Sequence, residues 1–433
     1  MTHIAAAVIG LVVLFALLFA GLPVSVAMLL VGLAGLWALI TPSAAIAKLA
    51  IAPFQTACSY DLATLPLFLL MANVLNYTGL GRDLFNLAYK WVGRLPGGVA
   101  ITSLVSCGMF GAVSASSIAT AATIGAVALP EMKRLGYRKS LAAGAVAAGG
   151  TLGSLIPPSG LLIIYGVLTE TSIGKLFLAA WMPGIIAVAL YSAATYIVCR
   201  ADPSAGPPGE GSTFREKIAA LKNAIEVISM MLVLIVGLLV GWFTPTEAGA
   251  IGAFMAILSA AIRKRLTWAG LKGAIDSTLR NAGMVYGILI GAKLFNYFLG
   301  STGFPGWLSK QVAGLPLSPV GVVWIITAIL LLLGIVMDEG AMQVLTIPIL
   351  FPVIVHLGLD PLWFGILTTR LIQIGMISPP LGITMFVVGG LDRELSMTEV
   401  YRGVIPFLIA DAVFLLLLVY VPEIALLLPS LGA

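Results

Sequence analysis

Gly153-Ser154-Leu155-Ile156-Pro157-Pro158-Ser159-Gly160 sets two prolines and two glycines inside a run too apolar to lie anywhere but in a membrane. Proline removes a backbone donor and clashes with the preceding turn, at roughly 3 kcal/mol or more in a helix interior. The stretch therefore reads as a built-in break in a membrane helix. It occurs twice: adding 222 to each number gives Gly375-Met376-Ile377-Ser378-Pro379-Pro380-Leu381-Gly382, so Pro157, Pro158 and Gly160 fall on Pro379, Pro380 and Gly382.

The 433 residues around these breaks are 60% hydrophobic and 9% charged, with mean hydropathy +1.10. That is too little charge for a soluble surface, and the apolar runs repeatedly reach the roughly 20 residues that cross a bilayer. The composition predicts an all-α polytopic membrane protein with no soluble domain attached. The first apolar run follows Met1-Thr2-His3 without a basic n-region or a cleavage site, so it is expected to be a retained helix. Cys58, Cys107 and Cys199 have no metal or redox spacing, and two histidines, His3 and His356, cannot build a histidine metal site or a triad. The net charge of +5 reports membrane topology before any nucleic-acid partner, and none is expected.

Residues 4–40 hold two apolar stretches around Gly21-Leu22-Pro23, read as two helices joined by a tight turn or as one long broken helix. After a crossing at 60–78, Leu84, Leu87, Ala88 and Trp91 recur at helical spacing, as in a helix lying in the membrane interface. The run 98–129 has basic groups on both flanks, Arg82, Lys90 and Arg94 before it and Lys133, Arg134, Arg138 and Lys139 after. Both flanks are then cytoplasmic, and limbs of about 15 residues are too short to span, so the run is expected to be a re-entrant hairpin. Further crossings are expected near 141–168, 176–199, 224–243, 246–262, 274–299, 362–390 and 404–428, with a second hairpin at about 320–352 broken near Gly334 to Gly340. This makes ten crossings and two hairpins with both termini outside. Pro203 to Gly211, rich in Pro, Gly and Ser, reads as a flexible linker at the seam between halves.

Other pairs keep nearly the same interval as the prolines. Leu129-Pro130 matches Phe351-Pro352, Gly111 matches Gly334, Pro183 matches Pro406, and Tyr77-Thr78-Gly79 matches Ser301-Thr302-Gly303. The chain is thus divided into scaffold helices at 1–59, a first repeat at 60–200, a cytoplasmic linker with scaffold helices at 201–272, and a second repeat at 273–433. Counting crossings, the repeats have opposite orientations. Inverted repeats with discontinuous helices are the architecture in which secondary transporters place ion and substrate sites near the bilayer midplane.

Half-helix ends expose carbonyls that replace the hydration shell of Na⁺ and N–H groups that meet an anion. A first Na⁺ site is expected from Ser114, Ser116, Ser117 and Thr120 of the tip Ser114-Ala115-Ser116-Ser117 with Gly153, Ser154 and Pro157 of the break. A second is expected from Gly334, Asp338 and Gly340 with Gly375, Ser378 and Pro379. Ser159, Gly160, Arg370, Gly382 and Thr384 are the expected substrate residues. Asp338 and Glu339 are adjacent carboxylates inside an apolar run, where a charge costs about 2.5 to 3.5 kcal/mol. Arg370 could attract an anionic substrate or bind a structural carboxylate, while Lys293, Glu170, Tyr165 and Tyr286 read as residues of the membrane interface.

Phe243-Thr244-Pro245-Thr246-Glu247-Ala248, Ile156-Pro157-Pro158-Ser159, Ile377-Ser378-Pro379-Pro380-Leu381-Gly382, Pro348-Ile349-Leu350 and Phe364-Gly365-Ile366 make this chain resemble the large, DctM-like membrane subunit of tripartite ATP-independent periplasmic (TRAP) transporters, over essentially its whole length. The resemblance implies an elevator-type, Na⁺-coupled secondary transporter of the bacterial inner membrane. It also implies a small four-helix membrane subunit, expected as a separate chain, and a periplasmic binding protein that captures the substrate. Ser378 stands where the family usually has Thr and keeps a hydroxyl; Gln373 stands where Glu is common and removes a charge beside the ion site.

The function expected is Na⁺-coupled import of a small, carboxylate-bearing organic solute, with no cofactor beyond the coupling ion. A stand-alone dicarboxylate or ion symporter of the same class, needing no binding protein, is the alternative. An intramembrane enzyme would need paired acids or a serine with a base, and Asp61, Asp338 and Asp411 are scattered. Two inequivalent hairpins suit alternating access better than a symmetric pore.

Overall fold

Helices occupy every expected crossing in the computed structural model, which describes residues 3–114 and 116–431; Ala115 of the first tip lies outside the described residues. In chain order they are α1 (His3–Phe19), α2 (Val24–Leu39), α3 (Pro42–Ala57), α4 (Tyr60–Tyr77), α5 (Leu80–Val92), α6 (Gly98–Ser114), α7 (Ser117–Arg134), α8 (Lys139–Leu152), α9 (Gly160–Thr169) and α10 (Ile173–Ala201). The chain continues with α11 (Phe214–Val240), α12 (Pro245–Ile262), α13 (Trp268–Thr302), α14 (Phe304–Ala313), α15 (Pro319–Gly334), α16 (Glu339–His356), α17 (Pro361–Met376), α18 (Ile383–Leu391), α19 (Met397–Tyr420) and α20 (Glu423–Leu431).

Residues 4–40 form two helices that pack on each other, with Gly21 at φ +86° making the turn. Among the described residues, α10, α11, α12, α13, α16 and α19 are each long and apolar enough to cross a bilayer, and α3 with α4 forms a further pair bent by 53°. The hairpins are α6 with α7 and α15 with α16. Their second limbs run past the expected ends because Pro130 and Pro352 lie inside helices instead of closing them, and α16 reaches spanning length. The broken helices are α8 with α9 and α17 with α18, each followed by a long helix with an internal proline, Pro183 or Pro406. Both breaks carry a cis peptide, Pro157–Pro158 and Pro379–Pro380.

One close approach holds each hairpin to its broken helix. A Cβ on Gly111 would lie 2.2 Å from the Cα of Gly153, and one on Gly375 would lie 2.5 Å from the Cα of Gly334. Glycine is needed at both crossings because the backbones meet there.

One expectation needs correction. The stretch 203–211 is not a free linker: Gly206 O accepts from Gly97 N at 2.9 Å, Ala205 O from Arg138 N at 3.0 Å, and Gly209 N donates to Gly93 O at 2.8 Å. Glycine and proline there permit a tight return against the ends of α5 and α8, which composition alone reads as flexibility. The apolar face of α5 is turned to protein, with Leu84, Leu87 and Ala88 buried against neighbouring helices and only Trp91 largely exposed. The basic stretches at the same end of the molecule are paired, Arg263 with Glu226, Arg265 with Asp83 and Lys133 with Glu394.

The motif at 243–248 is explained by the start of α12. Thr244 caps the helix, Pro245 fills its first turn, and Glu247 returns to the Thr244 N–H at 2.8 Å, a reciprocal capping box. Thr246 then joins Thr64 of α4 at 2.6 Å, and Tyr60 reaches the Thr244 hydroxyl at 3.1 Å. This fixes α12 against α4, which packs in turn on α13 and faces α6 and α9.

Candidate functional site

Each break follows from the backbone donors it lacks. A helix through 153–160 would bond the N–H of residue 157 to Gly153 O and that of 158 to Ser154 O, and proline supplies neither. Ser154 O instead accepts the Ser159 hydroxyl at 2.5 Å, and the Ser159 oxygen caps α9 by accepting from Leu162 N at 3.4 Å. Helix α7 begins in the same way, with Ser116 accepting from Ala119 N at 3.3 Å. Asp338 starts α16 by accepting from both Gly340 N and Ala341 N at 3.0 Å.

These three helix starts converge on a cavity of about 580 Å³. Ser116, Gly160, Asp338, Glu339 and Gly340 line one side, and Leu65 and Leu69 of α4 with Asn281, Met284, Val285 and Ile288 of α13 line the other. The remaining wall is apolar, from Ile118 and Ala122 of α7 to Met376 at the end of α17.

Most first-site residues meet beside this cavity. The Ser117 and Ser154 hydroxyls are 2.7 Å apart, and both donate to the Glu339 carboxylate, at 3.0 and 3.3 Å. Ser114 and Thr120 join at 2.5 Å, and Gly153 packs against Thr120. Ser114, Ser117, Thr120 and Ser154 are all buried. Pro157 faces elsewhere, lining a narrow apolar crevice with Phe68 and Phe177.

The second set is arranged differently. Gly334 and Gly375 touch, Asp338 is exposed with one oxygen committed to capping α16, and the Ser378 hydroxyl turns back onto its own helix at Ile374 O, 2.7 Å. Pro379 is exposed, whereas Pro157 is buried.

Of the five expected substrate residues, Gly160 alone lines the cavity among the described residues. Ser159 is the buried cap of α9, Gly382 sits against Met376 O, and Thr384 is buried in α18. Arg370, with none of its surface exposed, is paired with Asp411, donates to the Tyr191 hydroxyl at 2.6 Å and to Gln373 Oε1 at 3.2 Å, and lies over the Tyr191 and Phe414 rings. Of its two expected roles, it occupies that of binding a structural carboxylate. Tyr191 also donates to Asp411 at 2.7 Å. Opposite charges at membrane depth, Arg370 and Asp411, were the signal for this pair; Tyr191 left none.

Glu339, which the sequence sets with Asp338 opposite the second break, is the acidic group that reaches the first tip. The apolar cavity wall from α4 and α13 escaped notice because those side chains read as ordinary membrane-helix residues.

A family model described as the DctM component of tripartite ATP-independent periplasmic transporters matches residues 11–424. A C4-dicarboxylate TRAP transporter large permease of Pseudomonas aeruginosa is 33% identical over 384 residues, covering 88% of this chain and 89% of that protein. A sialic acid TRAP transporter large permease of Vibrio cholerae is 30% identical over 416 residues, covering 96% of each. The YdaH transporter of Alcanivorax borkumensis has the same kind of fold, with a TM-score of 0.59 at 13% identity over 87% of this chain and 86% of that one.

Proposed function

We propose a function from one premise: this chain belongs to the tripartite ATP-independent periplasmic transporters, as a large permease of the DctM type. It is a membrane component of TRAP-type solute import. The finer reading is that import is driven by Na⁺, that the solute bears a carboxylate, and that transport proceeds by an elevator movement. The partners in this reading are a small four-helix membrane subunit, a periplasmic binding protein and the lipid of a bacterial inner membrane.

The oxygen cluster of Ser117, Ser154 and Glu339 carries the reading. With Glu339 ionised, two hydroxyl protons serve three oxygen–oxygen contacts there, and one contact is left lone pair against lone pair. A hard cation with oxygen ligands relieves that arrangement, and it would draw together α7, the first break and α16 from both halves of the chain. Asp338, with one carboxylate oxygen beyond its two capping bonds, offers a second cation position.

Coupling follows from charge. Asp338 and Glu339 border the cavity and repel an anionic solute strongly in a medium of low dielectric. Cations at these carboxylates remove the repulsion, so ion binding becomes the condition for solute binding. The solute carboxylate then meets the N–H groups at the starts of α7 and α9, which have no partner within their own helices. With ions and solute in place, the hairpins and broken helices move as a unit against scaffold helices that include α2, α4, α12 and α13.

The test is uptake of labelled organic acids into proteoliposomes holding the chain with its two partners. Accumulation is expected with an inward Na⁺ gradient and not with an equal K⁺ gradient. Full-rate accumulation without a Na⁺ gradient defeats the coupling.

A further inference from the structure

The cavity between the hairpin tips is far less polar than the solutes named for the relatives. Its wall on α4 and α13 presents Leu65, Leu69, Met284, Val285 and Ile288. Asn281 is the one polar side chain on that side, and no Lys, Arg or His lines the cavity among the described residues. Arg370 is held by Asp411 and Tyr191 outside the lining.

We propose that the solute is a monocarboxylate with an apolar body several carbons long. This rests on the cavity being the solute site. The single carboxylate sits at the starts of α7 and α9, and the body lies against α4 and α13. A second carboxylate on the solute, with the first already at those helix starts, would be buried against α4 and α13 without a cationic partner. A polyhydroxylated body would lose its water on that wall and find few groups to replace it. The volume of about 580 Å³ leaves room for a branched or cyclic body.

The experiment is thermal unfolding of the purified chain with its small subunit in detergent and saturating NaCl, titrated with acetate, butyrate, hexanoate, adipate and hexylamine. The half-stabilising concentration is expected to fall about fourfold for each methylene added from acetate to hexanoate, as each is buried against the wall. Adipate, which matches hexanoate in length, is expected to need at least tenfold more, at about the resolution of a 1.4 kcal/mol difference. Adipate acting as well as hexanoate overturns the proposal, and so does stabilisation by hexylamine with none by hexanoate. Leu69→Gln and Met284→Asn place amides in the wall and are expected to flatten the chain-length series while the shift caused by NaCl alone persists. A series that stays steep in both variants overturns the placement of the body. A steep series in the unaltered protein with no NaCl shift supports the solute class and sinks the Na⁺ coupling, so the two failures are separable.

Discussion

The Ser117 hydroxyl donates to the Glu339 carboxylate at 3.0 Å, and the two residues are the first of α7 and the first of α16. They stand 222 apart, the interval that also carries Ser116 onto Asp338 and Pro157 onto Pro379. The hairpins therefore meet at matching positions, helix start against helix start, with a carboxylate on one side and a neutral hydroxyl on the other. Two positive helix ends favour an anion between them, and the protein supplies its own in Glu339. That carboxylate ties the ion chemistry proposed for the first tip to the position of the second.

Replacing Glu339 by Gln keeps the side-chain size and removes the charge. The Na⁺ concentration that half-stabilises the protein is expected to rise tenfold or more in Glu339→Gln, read from thermal unfolding titrated with NaCl against KCl. Ser154→Ala is expected to act in the same direction and Ser378→Ala much less, since the Ser378 hydroxyl bonds Ile374 O within its own helix. An unchanged Na⁺ response in Glu339→Gln and Ser154→Ala would reduce the cluster to a structural latch.

Arg370 and Asp411 form a fully buried ion pair. Removing one partner from such a pair typically costs about 3 to 5 kcal/mol, while replacing both with apolar side chains is often neutral. Arg370→Met alone is therefore expected to be severely destabilised, and Arg370→Met with Asp411→Leu to recover most of the loss. The recovered double variant is also expected to transport. Stable protein with no uptake would return Arg370 to the substrate site.

Gly111→Ala and Gly375→Ala test the two backbone crossings. The added methyl would stand 2.2 Å from the Cα of Gly153 in the first and 2.5 Å from the Cα of Gly334 in the second. Overpacking of this kind costs about 1 to 3 kcal/mol. Both variants are expected to unfold at lower temperature and to impair uptake, because each hairpin is seated on its break through that glycine. Normal melting in either one contradicts the contact.

Thr244→Ala removes the cap of α12 and the contact from Tyr60. A loss of about 0.5 to 2 kcal/mol is expected, with uptake per folded molecule unchanged. A specific loss of Na⁺ dependence at normal stability would show that the 243–248 motif is more than a helix start.

Much of the architecture was legible in the residues because its causes are local. Proline at 157, 158, 379 and 380 removes backbone donors wherever the chain goes, so the breaks and the hairpins opposite them could be placed before any contact was known. Serine at 116 and 159 and aspartate at 338 start helices for equally local reasons, by capping free N–H groups.

Contacts between distant segments were decided by the tertiary structure alone. The Pro, Gly and Ser content of 203–211 describes a chain able to turn, and only packing beside Gly93 and Gly97 determines that it is pinned. Asp338 and Glu339 are neighbouring acids in one apolar run, and Asp338 is the one expected at an ion site. Helical geometry turns Asp338 onto its own helix start and sends Glu339 across to Ser117 and Ser154. Sequence thus determined where the helices break, through backbone chemistry carried by single residues. Which carboxylate reaches the break, and which face of α4 and α13 closes the cavity, depend on the mutual placement of helices far apart in the chain, and no local property encodes that placement.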